Sequence, residues 1–279
     1  MQKNTASRTA LATAYLRAAH QVLDSRPLVL DDPVALALLG PDAKAKILAS
    51  RDTLLSALPQ ALRAHVVLRS RYAEDRLAAA RQRGIAQYVI LGAGFDTFAW
   101  RQPAWAQAEL TLYEVDHPDT QADKRTRLDR AGLQPPANLR WVDLDFETET
   151  LPARLARAGV RPELPTFFSW LGVTMYLSEP AIDATLRTLA GFAPGSEAVI
   201  TFLQASEAPS AQEQSLTQQV SSLGEPFVSR FSTEAFVDKL RSSGFAQVEV
   251  LTPQQSAPLF PRDGTLSNPE RIGIVSARV

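Results

Sequence analysis

The sequence contains no cysteine, and this absence removes several kinds of chemistry. Disulfide bonds, thiolate nucleophiles and thiolate metal sites all require that residue. The three histidines, His20, His65 and His117, are far apart along the chain and lack the spacing of a ligand set. The sequence therefore predicts no metal site and no cysteine-dependent catalysis.

An excess of charge of one sign is also lacking. Lys and Arg total 29 against 30 Asp and Glu, which gives a net charge of −1, and no long basic run occurs. Nucleic-acid binding needs clustered Lys and Arg to neutralise phosphates. No apolar run is long enough to span a bilayer, and the N-terminus lacks a signal-peptide core. We therefore expect a cytoplasmic enzyme whose main partner is neither nucleic acid nor a membrane.

The composition is that of an ordinary soluble globule, with 45% apolar and 21% charged residues among 279. This length suffices for one sizeable α/β domain or two small ones. No internal repeat and no linker interrupts the chain. We therefore expect a single domain over residues 1–279, and the sequence leaves its oligomeric state open.

One stretch organises the rest of the chain. Residues 88–97 (YVILGAGFDT) form an apolar run that stops at Gly92 and Gly94, followed at once by Asp96 and Thr97. This pattern predicts a buried strand that ends in a tight turn and enters a helix. Glycine lets the backbone pass close to a ligand, and open α/β sheets bind ligands at the carboxyl ends of their strands. We expect a cofactor at this turn.

Two cofactor classes fit such a turn, and the local residues distinguish them. A dinucleotide fingerprint has a third glycine where this chain has Thr97, and Asp96 would face the pyrophosphate as a like charge. S-adenosylmethionine (SAM) has no phosphate and carries a cationic sulfonium and an ammonium. The acid therefore favours SAM, while a dinucleotide remains the alternative.

Acids follow the next two predicted strands. The strand over 110–116 ends in Glu114 and Asp116, roughly twenty residues after the glycines, where a ribose diol is usually held. Side chains two apart on a strand point the same way, and Asp116 is nearer the tip. Asp143 and Leu144 follow the third strand, over 138–142, where an adenine amino group and ring could be contacted.

The remaining segments are expected to surround this site. Residues 166–170 form the fourth strand, and the segment from Trp170 to Tyr176 should border the transferred methyl group. A long helix over 60–83 carries Arg69 and Arg71, and an arginine there could reach the methionine carboxylate of SAM. Residues 1–60 are expected to form a helical lid or to pack under the sheet, and residues 205–228 to cover the substrate. The last two strands should pair antiparallel, because the connection between them carries four prolines.

These segments together resemble the leucine carboxyl methyltransferase-like family of class I SAM-dependent methyltransferases, over nearly the whole chain. The resemblance rests on LGAGFDT at 91–97, EVDHP at 114–118, VDL at 142–144 and GVTMYL at 172–177. It implies an α/β fold with three layers, in which a Rossmann-like seven-stranded sheet is mostly parallel with an antiparallel last strand. A helical N-terminal lid completes the implied architecture.

The resemblance also implies roles for individual residues. Arg71, the best match to the family's arginine, and Gly92 would contact the methionyl part, Asp116 the ribose, and Asp143 with Leu144 the adenine. Arg17 resembles a basic lid position that could touch the same carboxylate. The full predicted cofactor-binding set is Arg71, Gly92, Ala93, Gly94, Asp96, Thr97, Glu114, Asp116, Asp143, Leu144, Trp170 and Leu171.

The resemblance carries the cofactor and the reaction class, but it does not carry the acceptor. Leu171 stands where the family's eukaryotic protein methylators have a glutamate, which argues against the same protein substrate. A carboxylate acceptor needs no base, and no Lys or His is placed convincingly to serve as one. We therefore expect O-methylation of a small-molecule carboxylate or hydroxyl, with Tyr176 and Arg230 as candidate substrate contacts. A dinucleotide oxidoreductase and a SAM-binding module without turnover are the competing hypotheses.

Overall fold

The fold is built on one seven-stranded sheet. The computed structural model describes residues 7–145, 149–206, 214, 217–218, 221–222, 224–260, 266–269 and 273–279. The strands are β1 (Gln87–Leu91), β2 (Thr111–Asp116), β3 (Leu139–Asp143), β4 (Thr166–Trp170), β5 (Glu197–Thr201), β6 (Gln247–Val250) and β7 (Ile274–Arg278). Their order across the sheet is β3-β2-β1-β4-β5-β7-β6.

The strand directions confirm the predicted fold class. Strands β1 to β5 pair in parallel, whereas β7 runs antiparallel to both of its neighbours, β5 and β6. The order reverses between β1 and β4, which places their carboxyl ends side by side. This switch point is where open α/β sheets bind their ligands.

Helices occupy the connections at boundaries close to those predicted. They are α1 (Arg8–Leu23), α2 (Pro33–Leu39), α3 (Ala43–Ala49), α4 (Arg51–Leu54), α5 (Ala57–Ala80), α6 (Phe98–Arg101), α7 (Ala104–Glu109), α8 (Pro118–Arg130), α9 (Leu151–Arg157), α10 (Glu179–Ala190), α11 (Thr233–Ser242) and α12 (Pro253–Ser256). The side chains of Ser7, Asp32 and Ser232 accept a backbone hydrogen bond at the start of α1, α2 and α11. Beyond α5, a short 3₁₀ turn ends at Gly84, whose φ is +79°.

Alternation along β1 separates two apolar cores. Tyr88 and Ile90 face a cluster that includes α5, while Val89 and Leu91 face a cluster that includes α9, α10 and α11. All four side chains are at most 4% exposed. A strand buried on both faces is typical of a parallel sheet covered by helices, so the three-layer arrangement follows from the apolar run itself.

The four N-terminal helices lie at one side of the carboxyl ends of the strands. A small core of Ala14, Val34, Leu38, Phe95 and Leu128 joins α1 and α2 to α8 and to the turn after β1. Ala10 of α1 lies directly against Gly94, where a Cβ would be 3.1 Å away. This placement agrees with the predicted lid over 1–60, whose covering role stays a prediction.

Half of the predicted insertion over 205–228 falls outside the described residues. Its described end, residues 224–228, lies beside the segment after β4, because the backbone N–H groups of Val228 and Ser229 donate to the carbonyl oxygen of Met175 at 2.7 and 3.2 Å. Across the described parts of the chain, the helices are all too short or too polar to cross a bilayer.

Candidate active site

The turn after β1 requires glycine at two positions. Gly92 has φ +64° and Gly94 has φ +50°, a region that other residues rarely adopt. A Cβ at Gly92 would lie 2.3 Å from Cγ2 of Val173, in the segment after β4. The turn is therefore in close contact with that segment on one side and with α1 on the other. The N–H of Ala93 donates to the Val115 carbonyl at 3.0 Å, which ties the turn to β2.

Asp116 joins the tip of β2 to this turn through a hydrogen bond. One carboxylate oxygen accepts the N–H of Gly94 at 2.5 Å, and the other accepts the N–H of His117 at 2.7 Å. Burial raises the pKa of Asp116, and the two backbone donors oppose that rise. Each oxygen keeps a free lone pair, so the carboxylate can still accept hydroxyl donors.

Glu114, two residues earlier on β2, has a different environment. Its side chain is fully buried and pairs with Lys124 of α8 at 2.5 Å, and the Lys124 ammonium lies 5.3 and 5.5 Å from the ring centres of Trp100 and Trp141. Burial raises the pKa of Glu114 to about 7, against the opposing effect of Lys124. The side chain belongs to the interior under α8, which conflicts with its inclusion in the cofactor-binding set.

The two arginines of α5 point to different places, and the structure corrects the choice between them. Arg71 is 40% exposed, pairs with Asp75 at 2.8 Å and donates to the Val29 carbonyl. Arg69 faces the carboxyl end of β4, where a Cβ at Gly172 would lie 2.6 to 2.8 Å from its guanidinium. Residues two apart on a helix do not share a face. Arg69 therefore replaces Arg71 as the arginine at the site.

Arg69 has no hydrogen bond or ion pair with any residue that the structure describes. Burial, and then the nearby charge of Arg17, lower the pKa of its guanidinium to about 10. Arg17 itself is only 6% exposed, and it donates to Asp32 at 3.0 Å and to the Phe95 carbonyl. The sequence offered both arginines, and the family resemblance favoured Arg71. The position of Arg69, three residues after Val66 and four before Ala73, places it on the apolar face of α5.

The other predicted contacts divide between the core and the surface. Thr97, Leu144 and Trp170 have no exposed side-chain surface, and Thr97 donates to Asp32 at 2.7 Å. Leu171 packs against the α5-side core. Asp143 is exposed at the tip of β3. Thr97 and Trp170 are therefore buried residues that stabilise the surroundings of the site.

Asp96 lies at the end of the glycine turn. Its Oδ1 accepts the N–H of Phe98 at 2.8 Å. Its charge acts on Arg69, whose pKa it raises in opposition to burial. The turn thus presents one acid beside a cation that has no ion pair among the described residues, a combination suited to a zwitterionic amino acid group.

Aromatic and cationic groups lie beside the segment that follows β4. The Tyr176 ring centre is 5.6 Å from that of Phe227, and burial raises the pKa of its hydroxyl while Thr9 of α1 opposes that rise. The Arg230 guanidinium lies 5.5 Å over Phe227 and donates to the hydroxyl of Thr217 at 2.8 Å. A cavity of about 680 Å³ opens beside Arg230, lined among others by Ser206, Thr217, Gln218, Ser221 and Ser222. This volume suits a small molecule.

Fold, glycine turn and β2 acid together define a SAM-dependent methyltransferase, and comparison with known proteins makes the assignment more specific. The chain belongs to the leucine carboxyl methyltransferase family, whose profile it matches over residues 10–190. SAM is its cofactor, so the dinucleotide alternative is set aside.

Named relatives agree with this class. YktD of Bacillus subtilis (strain 168), provisionally named an S-adenosyl-L-methionine-dependent methyltransferase, is 30% identical over 285 residues, which cover 93% of each chain. A relative from Parafrankia sp. (strain EAN1pec) with the same provisional function is 35% identical over 192 residues, covering 68% of this chain and 60% of its own. A DUF574 family protein from Streptomyces avermitilis shares the fold, with a TM-score of 0.53 at 19% identity, and the match covers 94% of this chain and 96% of that one.

Proposed function

We propose that this methyltransferase acts on oxygen in a small molecule, with a carboxylate as the favoured acceptor and a hydroxyl as the second. The observation that carries the proposal is the wall formed by Tyr176, Phe227 and Arg230, which offers a ring surface and a cation without an acidic partner among the described residues. An arginine and an aromatic surface suit a planar anion.

The chemistry of the wall also favours an acceptor that is already ionised. A carboxylate acceptor needs no base, whereas an alcohol or phenol needs one within hydrogen-bond reach. The carboxylate beside the wall, Glu225, accepts hydrogen bonds from Ser7, from the backbone of Arg8 and from Thr9. The described hydrogen bonds of Glu225 are thus all made with the start of α1, which gives this carboxylate a structural role.

The residues around the glycine turn fit SAM. Arg69 would bind its carboxylate, Asp96 its ammonium and Asp116 its ribose hydroxyls, while Asp143 and the backbone at Leu144 would meet the adenine. Bound SAM supplies an electrophilic methyl group on its sulfonium. The chain's own part is to hold the acceptor oxygen in line through Arg230 and Tyr176 and to keep water out with α1.

Labelled methyl transfer tests the proposal. Purified protein is incubated with methyl-labelled SAM and matched pairs of aromatic carboxylic acids and phenols. We expect label in the acids, released as methanol by mild alkali because esters hydrolyse and aryl ethers do not. Alkali-stable label in the phenols would move the acceptor to hydroxyl oxygen. Tight binding of S-adenosylhomocysteine (SAH) without transfer to either class or to a cell extract would support a binding module instead.

A further inference from the structure

One acidic side chain joins two segments that are far apart in the sequence. Glu225 precedes the aromatic wall, and its carboxylate meets the first turn of α1. It accepts hydrogen bonds from the Ser7 hydroxyl at 3.1 Å, from the Arg8 backbone N–H at 3.0 Å and from the Thr9 hydroxyl. A carboxylate here satisfies one free N–H group, that of Arg8, and lies at the positive end of the helix.

The same turn of α1 contacts both halves of the site. Ala10 lies against Gly94 in the cofactor turn, and Thr9 is close enough to the Tyr176 hydroxyl in the acceptor wall to oppose the rise that burial causes in its pKa. The Ser7 backbone N–H also donates to Thr120 of α8 at 3.3 Å. A displacement of this turn would therefore uncover Gly94 and release Tyr176 together.

The two ends of α1 are held very differently. Near its C-terminal end, Arg17 pairs with Asp32, and Asp24, just beyond the helix, pairs with Arg63 at 2.7 Å, with every one of these side chains at most 7% exposed. The first turn depends on Glu225, which is partly exposed. Gly224, immediately before it, has φ +83° and open space where a Cβ would be. Among the described residues, the first turn of α1 is therefore held without the buried ion pairs that fix the other end of the helix.

We propose that Glu225 is a positioning residue for methyl transfer. Its carboxylate caps α1 and so holds Ala10 over the cofactor turn and Thr9 on Tyr176. The capping and its effect on SAH release stand independently of the acceptor, whereas its effect on turnover rests on the proposed function.

The test compares Glu225→Gln and Glu225→Ala with Glu234→Gln. Glu234 is an exposed acid in the first turn of α11 and serves as the matched control. Hydrogen exchange of the ligand-free protein is followed in peptides from residues 7–14 and 17–24, and SAH dissociation is followed by stopped flow. Loss of a helix cap speeds local opening by about tenfold.

We expect exchange over 7–14 and SAH release to be unchanged in the control Glu234→Gln, faster in Glu225→Gln and fastest in Glu225→Ala. Exchange over 17–24 should stay unchanged in all three variants. The glutamine keeps one capping oxygen, so it should rescue part of the effect. In an active enzyme, kcat should fall more than the acceptor KM rises. Unchanged exchange over 7–14 in Glu225→Ala would overturn the proposal, as would equal acceleration at both ends of α1. Absence of turnover would count only against the proposed function, because the exchange and release measurements do not depend on it.

Discussion

Two layers of charge lie at the carboxyl ends of the strands, and they differ in how each charge is satisfied. In the inner layer, Lys124 pairs with Glu114, and Arg101 pairs with Glu74 at 2.7 Å, in largely buried surroundings. At the rim, Arg69 has no counter-ion among the described residues, and Asp116 bonds only to backbone N–H groups there.

The difference separates charged groups that stabilise the fold from charged groups that we expect to bind the ligand. A buried ion pair is costly to break, because the remaining charge has no solvent. An unpaired charge at a cleft gains its partner when a ligand binds. Substitutions in the inner layer should therefore change stability, and those at the rim should change binding.

The largest effect is expected for Glu114→Gln. The substitution leaves Lys124 as a buried cation without a carboxylate, which should lower the free energy of unfolding by about 3–5 kcal/mol. Adding Lys124→Met should recover much of this loss, since the methionine can pack between Trp100 and Trp141. Urea unfolding of the two single variants and the double variant measures the coupling. If Glu114→Gln instead weakened SAH binding at unchanged stability, Glu114 would belong to the rim.

The next effect is expected for Arg69→Met, with Arg71→Met as its matched control on the same helix. Loss of a charge-assisted bond to the ligand carboxylate should weaken SAH binding by about 10- to 100-fold. The control removes an exposed pair with Asp75, which contributes little. Calorimetric titration of both variants decides between the two arginines, and a larger loss in Arg71→Met would restore the original prediction.

A smaller effect is expected for Asp116→Asn. The amide keeps the size of the carboxylate and removes its charge and one acceptor, so SAH affinity should fall by about tenfold while the protein stays folded. Thermal melting with and without SAH separates the two properties. A large loss of melting temperature without ligand would assign Asp116 to the inner layer.

Tyr176→Phe should have the smallest effect. It removes the hydroxyl near Thr9 and keeps the ring against Phe227, and loss of a polar contact of this kind corresponds to about 0.5–1.5 kcal/mol. We expect SAH to dissociate a few times faster, with little change in melting temperature. Slower dissociation in this variant would contradict the coupling between α1 and the acceptor wall.

Local pattern was enough to predict most of the scaffold. The predicted fourth strand over 166–170 coincides with β4, and the predicted long helix over 60–83 corresponds to α5 and the 3₁₀ turn that follows it. These features depend on neighbours in the chain, because apolar period, capping oxygens and prolines act within a few residues.

The site was predictable only in part. The glycine turn and Asp116 come together as the sequence indicated, and the antiparallel β7 followed from the prolines before it. The sequence placed Glu114 in the cofactor-binding set together with Asp116, because the two side chains point to the same face of β2. Only the position of α8 shows that Glu114 is buried against Lys124. Glu225 gave no local signal, since its partners lie more than 200 residues away.

The sequence by itself determined the order of strands and helices along the chain and the glycine turn, and it favoured SAM over a dinucleotide, because each depends on residue types at short spacing. Only the tertiary structure decided which charges are paired and which remain open, because a counter-ion supplied by another helix leaves no trace at short range. That decision moved the candidate carboxylate contact from Arg71 to Arg69 and placed Glu225 on the first turn of α1.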